Sequence, residues 1–235
     1  MLEELPDSFA ASRDGLHALA EQVLAPFRYA LDGHIGLVPT PDGFGTPMSA
    51  NGDRLRVDGV ELVLERPGTT TRVRITTIAD AARFAGVEPG VPAGLYQAAT
   101  TIDPSTPLGV DGDGATAVAA WLALTDSLLG ELHELYRSRE PSGTTLWPEH
   151  FDLACELGDA SAGTRANYGA SPGDGAIAQP YLYVGPWDTS RRTGPLGAYP
   201  WGAGFTYDAL LDSGDPKGTG LDFYLEGAAL LLGQP

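Results

Sequence analysis

Hydrophobic positions along this chain recur with two periods. Over 12–24, SRDGLHALAEQVL, residues Leu16, Leu19, Ala20 and Val23 fall on one face at helical spacing. That predicts a helix capped by Ser12 or Asp14 and stopped by Pro26. The period then shortens to two, and strands are expected over 27–39, 54–66 and 71–76. In RLRVDGVELVLER, Leu55 and Val57 alternate with Arg54, Arg56 and Asp58, and Asp58-Gly59 predicts a tight type I′ turn that makes a hairpin. In TRVRITT, Val73 and Ile75 alternate with Arg72 and Arg74. ADAARFAG then reads as a short helix ended by Gly86.

Residues 86–114 hold many of the prolines and glycines and are the best candidate for a boundary or linker. After them, Val118, Trp121, Leu122, Leu128, Leu129, Leu132 and Tyr136 make an apolar stripe, so 115–138 is expected to be a long helix. Strand-like segments follow at 145–157, 164–169 and 180–187, then a helix over about 220–232. Each half thus reads as helix, three strands, helix. The fold class predicted is α+β, with antiparallel sheet or sheets and helices packed on one side. A single domain over 1–235 is expected, with an organisation into two halves, 1–90 and 110–235, joined by the Pro/Gly-rich segment.

At 43 % hydrophobic residues the 235-residue chain can bury a sizeable core. No run approaches the roughly 20 apolar residues of a membrane span. The N-terminus, MLEELPDSFAASRDG, is acidic where a secretory signal is basic, so a cytoplasmic location is expected. The formal charge of −17, with Lys217 as the sole lysine, argues against nucleic-acid and anionic-membrane partners. Cys155 is the only cysteine. It cannot form an internal disulfide or a thiolate zinc site, and its apolar surroundings predict an inert thiol.

Two motifs match on paper and fail on chemistry. GASPG, 169–173, fits the nucleophile-elbow pattern, but Pro172 lacks the N–H an oxyanion hole needs. GDGATA, 112–117, resembles a dinucleotide turn, but no apolar strand precedes it, and Asp111 and Asp113 suit the positive end and cap of a helix. It also lacks the ligands of a calcium loop.

The densest stretch is LWPEHFDLACEL, 146–157. As one strand it would put Trp147, Glu149, Phe151, Leu153, Cys155 and Leu157 on the core face, and His150, Asp152, Ala154 and Glu156 on the wetter face. His150 and Asp152 would then stand about 7 Å apart. Glu149 would point inward, where carboxylates need a partner. The three converge only if Pro148 breaks the strand. NYGASPGD (167–174) and PYLYVGPWD (180–188), the latter alternating Tyr181, Tyr183 and Trp187 on one face, add Tyr168, Asp174, Tyr181, Tyr183 and Trp187 as candidate ligand-binding residues beside Trp147. PTPDGFGTP, 39–47, reads as a rigid strand cap or as one wall of a cleft beside these residues.

The blocks GFGTP (43–47), WPEHFDLA (147–154), NYGASPGD (167–174) and PYLYVGPW (180–187) run in order across most of the chain. In them the chain resembles an uncharacterised family of soluble proteins from GC-rich bacteria. The resemblance implies one intact α+β protein and assigns no catalytic residue. Two functional readings follow. The first is a protein that binds a small molecule or a partner chain without catalysis, with no cofactor specified. The alternative is a metal-assisted hydrolase or lyase, with a divalent ion on His150 and Asp152 and with Glu149 as general base. A homodimer through the C-terminal Leu230-Leu231-Leu232 helix is compatible with either.

Overall fold

The structure, a computed structural model, describes residues 2–233. The chain is an α+β protein with two antiparallel five-stranded sheets. Two compact units partition it: 5–123 with 146–151, and 124–145 with 152–233 and 2–4. The Pro/Gly-rich segment does not separate them. The division falls inside the long helix, between Ala123 and Leu124.

The first unit opens on α1 (Phe9–Leu19), a π turn (Ala20–Leu24) and α2 (Ala25–Asp32). The segment expected to be a strand from residue 27 is therefore helix as far as Asp32, and Pro26 does not end it. Proline lacks an N–H and its ring crowds the carbonyl four residues back, here that of Gln22. The π turn relieves both problems. Ala25 N–H reaches back five residues to Ala20 O, and Gln22 O is free to accept from Gly90 N–H at 3.0 Å. The helix closes at Gly33, at a left-handed φ of 76°.

Five strands then form a meander: β1 (Val38–Thr40), β2 (Gly43–Gly45), β3 (Arg54–Asp58), β4 (Glu61–Arg66) and β5 (Thr69–Arg74). In β3, Leu55 and Val57 are buried and Arg54, Arg56 and Asp58 are half-buried, as the alternation predicts. The hairpin turn is Gly59-Val60 with only Gly59 left-handed, the type II′ pattern in place of I′. GFG is a strand of its own. A Cβ on Gly45 would stand 2.4 Å from the Arg56 Cβ, so glycine is what lets β2 and β3 approach. Helix α3 (Ile78–Ala85) is capped by Thr77 and ends at Gly86.

Helix α4 (Gly112–Leu135) starts at a cap, where Asp111 Oδ1 accepts from Gly114 N–H at 2.9 Å. By length and composition alone α4 is apolar enough to cross a membrane, a test that the core helix of a folded domain also passes.

The second sheet runs β10-β9-β8-β7-β6, with β6 (Thr145–Trp147), β7 (Asp152–Leu157), β8 (Ala166–Ser171), β9 (Tyr181–Pro186) and β10 (Ala203–Thr206). Helices α5 (Tyr207–Asp212) and α6 (Pro216–Leu232) follow. Leu153, Cys155, Leu157, Tyr168, Ala170, Leu182 and Val184 are buried on one face. Helix α6 packs there closely enough that a Cβ on Gly227 would meet Val184 at 2.9 Å. Tyr224 from α6 donates its hydroxyl to Gly169 O at 2.8 Å. Of the three C-terminal leucines, Leu231 turns inward and Leu230 outward.

Cys155 lies in this core, and burial pushes its thiol up to about 12, with Glu156 adding to the effect. At pH 8 the folded protein is expected to react with a disulfide reagent about a thousandfold more slowly than the unfolded chain. A native labelling rate equal to the unfolded one would contradict this.

Candidate functional site

The stretch 146–157 is not one strand. Pro148, Glu149 and His150 form a turn between β6 and β7, with His150 N–H donating to Trp147 O at 3.3 Å. Phe151 follows at a φ of 51°, a conformation that bulky side chains avoid. Packing holds it there: its buried ring stacks on His17 at 5.3 Å and meets Phe44 edge-on at 5.2 Å. The alternation expected through this stretch therefore applies only from Asp152 onward.

Three expectations are corrected as a result. Trp147 is exposed and not part of the core face. His150 is exposed in the turn, whereas Asp152 is buried at 9 % exposure, so the two do not share a wet face. Glu149 and His150 belong to the first unit and Asp152 to the second. Glu149 Oε2 is buried without a hydrogen bond. The histidine that is engaged is His17, whose Nε2 lies 3.1 Å from Pro148 O and whose pKa burial lowers. Among the described residues no three His, Cys, Asp or Glu side chains are grouped to hold a metal ion.

The second unit gathers more of the predicted residues. The register places Asp152, Ala154 and Glu156 of β7, Asn167, Gly169 and Ser171 of β8, Tyr181, Tyr183 and Gly185 of β9, and Gly204 of β10 on the face opposite α6. Tyr168 points the other way, into the core, where its ring meets Tyr224 at 6.3 Å.

Each β9 tyrosine on this face donates to an acid. Tyr183 bonds Asp152 Oδ2, and Tyr181 bonds Asp174 Oδ2 at 2.6 Å. Asp174 is held in turn by the N–H groups of Ala176 and Ile177. Burial first, and then the neighbouring carboxylates, push both phenols up. Glycines make room for flat rings: a Cβ on Gly169 would lie 2.6 Å from the Tyr183 ring, and one on Gly204 would lie 2.9 Å from Trp201. Trp201 stacks on Tyr199 at 4.7 Å and on Tyr181 at 5.6 Å. Ser171, the serine of GASPG, accepts from Gly173 N–H and bonds the Tyr181 hydroxyl, and no helix follows it.

Beyond the end of β9 stands Trp187, 48 % exposed. Its Nε1–H donates to Asn167 Oδ1 at 2.8 Å, and the Arg165 guanidinium lies 4.3 Å from the ring centroid. Arg165 is itself paired with Glu156. An open cleft of about 510 Å³ lies beside this pair, lined by 160–163, Arg165, Trp187 and Asp188. The Ser190 hydroxyl and N–H bond Asp188 and hold its carboxyl below the usual range.

Tyr199, Trp201, Arg165 and Asn167 were not among the residues that sequence singled out, while Glu156 was placed on the wetter face and Ser171 was read only as the serine of a failed motif. The one legible trace was YPWGAG (199–204), aromatics beside glycines, the composition of rings lying on a sheet. Chemically, phenols locked onto carboxylates are permanent donors at neutral pH, neither bases nor ready acids. Comparison with protein-family models, curated proteins and solved structures found no match to this chain.

Proposed function

We propose that this chain is a binding protein that holds a small organic molecule in the cleft beside Trp187 and does no chemistry on it. The observation that carries this reading is the fixed, half-exposed Trp187 ring. One face is covered by Arg165 and its edge is tied to Asn167, so little order is lost when a ligand stacks on it. The cleft has the size of ordinary ligand sites, about 300–1,000 Å³. Arg165, Asp188 and Ser161 supply polar contacts around an aromatic platform, the usual composition of such sites. Three of the four blocks on which the family resemblance rests, WPEHFDLA, NYGASPGD and PYLYVGPW, supply residues of β7, β8 and β9, which support this platform. Several groups suited to catalysis are engaged otherwise: Cys155 is buried in the core, His17 is bonded to Pro148, and Tyr181 and Tyr183 are bonded to acids.

The test is saturation-transfer NMR with indole-, purine- and pyridine-type fragments. At least one class is expected to bind, and Trp187→Ala is expected to weaken it roughly tenfold, the ~1.4 kcal/mol of a stacked aromatic contact. No binder in any class, or binders indifferent to Trp187→Ala in a protein of unchanged circular dichroism, would overturn the reading.

A further inference from the structure

Strand β5 is the outer strand of the first sheet and pairs only with β4. Its register is continuous from Thr69 to Arg74, with neither a bulge nor a proline to blunt the edge. Ile75 N–H donates to Val60 O at 2.9 Å. Stepping back along the antiparallel ladder, Val73 and Thr71 therefore face β4, and the N–H and C=O groups of Thr70, Arg72 and Arg74 point away from it. Further along, the edge is covered, since Thr76 O accepts from Leu108 N–H and Thr77 bridges Pro107. Over 69–74 it is open: five of the six residues are exposed and Val73 is half-buried.

Charge selects what can lie there. Although the chain carries −17, β3–β5 hold Arg54, Arg56, Arg66, Arg72 and Arg74 against Asp58, Glu61 and Glu65. The three acids are engaged by Arg54, Arg56 and Arg72 at 2.7–3.1 Å. Among the described residues Arg66 and Arg74 form no ion pair; the register sets Arg74 beside Arg72 on one face of the open edge, which leaves that face an unpaired positive charge, and turns Arg66 of β4 to the other face. A second copy of β5 on this edge would set Arg72 and Arg74 beside their own counterparts, which is repulsive. An extended strand bearing Glu or Asp at alternate positions would place its acids on the arginine face and its backbone against the three outward pairs.

We propose that β5 is a docking strand that accepts an extended acidic segment of a partner protein as a sixth strand of the first sheet. The probes are two seven-residue peptides, Thr-Glu-Thr-Glu-Thr-Glu-Thr and its Lys counterpart, each acetylated and amidated. Hydrogen exchange is read residue by residue. The acidic peptide is expected to protect the amides of Thr70, Arg72 and Arg74 while leaving Thr71 and Val73 unchanged, and to bind at least tenfold more tightly than the basic one at low salt. Arg72→Pro removes an outward N–H without touching the β4 ladder and should abolish protection. Arg72→Glu keeps the N–H and should reverse the preference between peptides, which separates docking from loss of fold. Equal binding of both peptides, no protection by either, or edge amides already protected by dimerisation of the free protein would each overturn the proposal.

Discussion

Raising the pH above 10 is expected to unfold the second unit in one steep step, with tyrosine ionisation and loss of sheet signal coinciding. Six of the nine tyrosines, Tyr136, Tyr168, Tyr181, Tyr183, Tyr207 and Tyr224, lie in this unit with phenols pushed up, in every case first by burial. Asp174 and Asp152 add to the shift at Tyr181 and Tyr183 by charge and hydrogen bonding. The sign follows from linkage. An unfolded tyrosine loses its proton near pH 10, whereas these keep theirs while folded, so the native state binds more protons and stability falls as pH rises. Below pH 10 the contribution is fully present. Each group withdraws about 1.4 kcal/mol per pH unit once the unfolded form is ionised. The four most strongly shifted, Tyr168, Tyr181, Tyr183 and Tyr224, together consume a typical stability of about 5–15 kcal/mol within about one to three pH units. Absorbance at 295 nm and far-ultraviolet circular dichroism should therefore share one midpoint above pH 10. Gradual ionisation centred on pH 10 with the sheet signal intact would show that these rings are not buried as described.

Those six rings also show what the sequence does and does not reveal. Period-two alternation correctly put Leu153 and Cys155 inward and, in β3, Leu55 and Val57, because a strand's side-chain directions are fixed by local geometry. The apolar stripe of 115–138 was legible as a helix for the same reason, and Asp111 as its cap. Alternation along β9 also placed Tyr181 and Tyr183 together. It could not say that Asp152 and Asp174 would be their partners, because cross-strand neighbours depend on register and turn length. Trp201 reaches the same face only through the turns between Trp187 and Ala203. Phe151 escaped for a different reason: only its packing against His17 and Phe44 offsets its positive φ, and neither partner is near in sequence. Pro26 misled in the same manner. The proline rule is sound for a regular helix, but a π turn and an acceptor role for the Gln22 carbonyl remove the conflict.

That π turn carries the second large effect: Glu21→Gln is expected to release the segment around 90–100 and to cost the first unit about 2–5 kcal/mol. Glu21 is fully buried, and its carboxylate accepts from Ala99 N–H at 2.8 Å, from Thr100 N–H at 2.7 Å and from the Thr100 hydroxyl. Gln22 beside it donates to Thr100 O and Oγ1, and its carbonyl accepts from Gly90. A wide turn in one helix thus anchors a Pro/Gly-rich segment nearly eighty residues away in sequence. Glutamine matches glutamate in size, but its NH₂ would face one of the two backbone N–H groups, leaving that N–H without an acceptor inside the protein. Burying an unsatisfied amide costs about 1–3 kcal/mol each, which sets the scale. Thr100→Val, which removes only hydroxyl bonds, should cost closer to ~1 kcal/mol. Hydrogen exchange supplies the decisive readout: in Glu21→Gln the amides of Gly90, Ala99 and Thr100 should exchange far faster while those of β3 and β4 keep their order of protection. If Ala99 and Thr100 stay protected, or the stability loss is under about 1 kcal/mol, the carboxylate is not what holds this segment down.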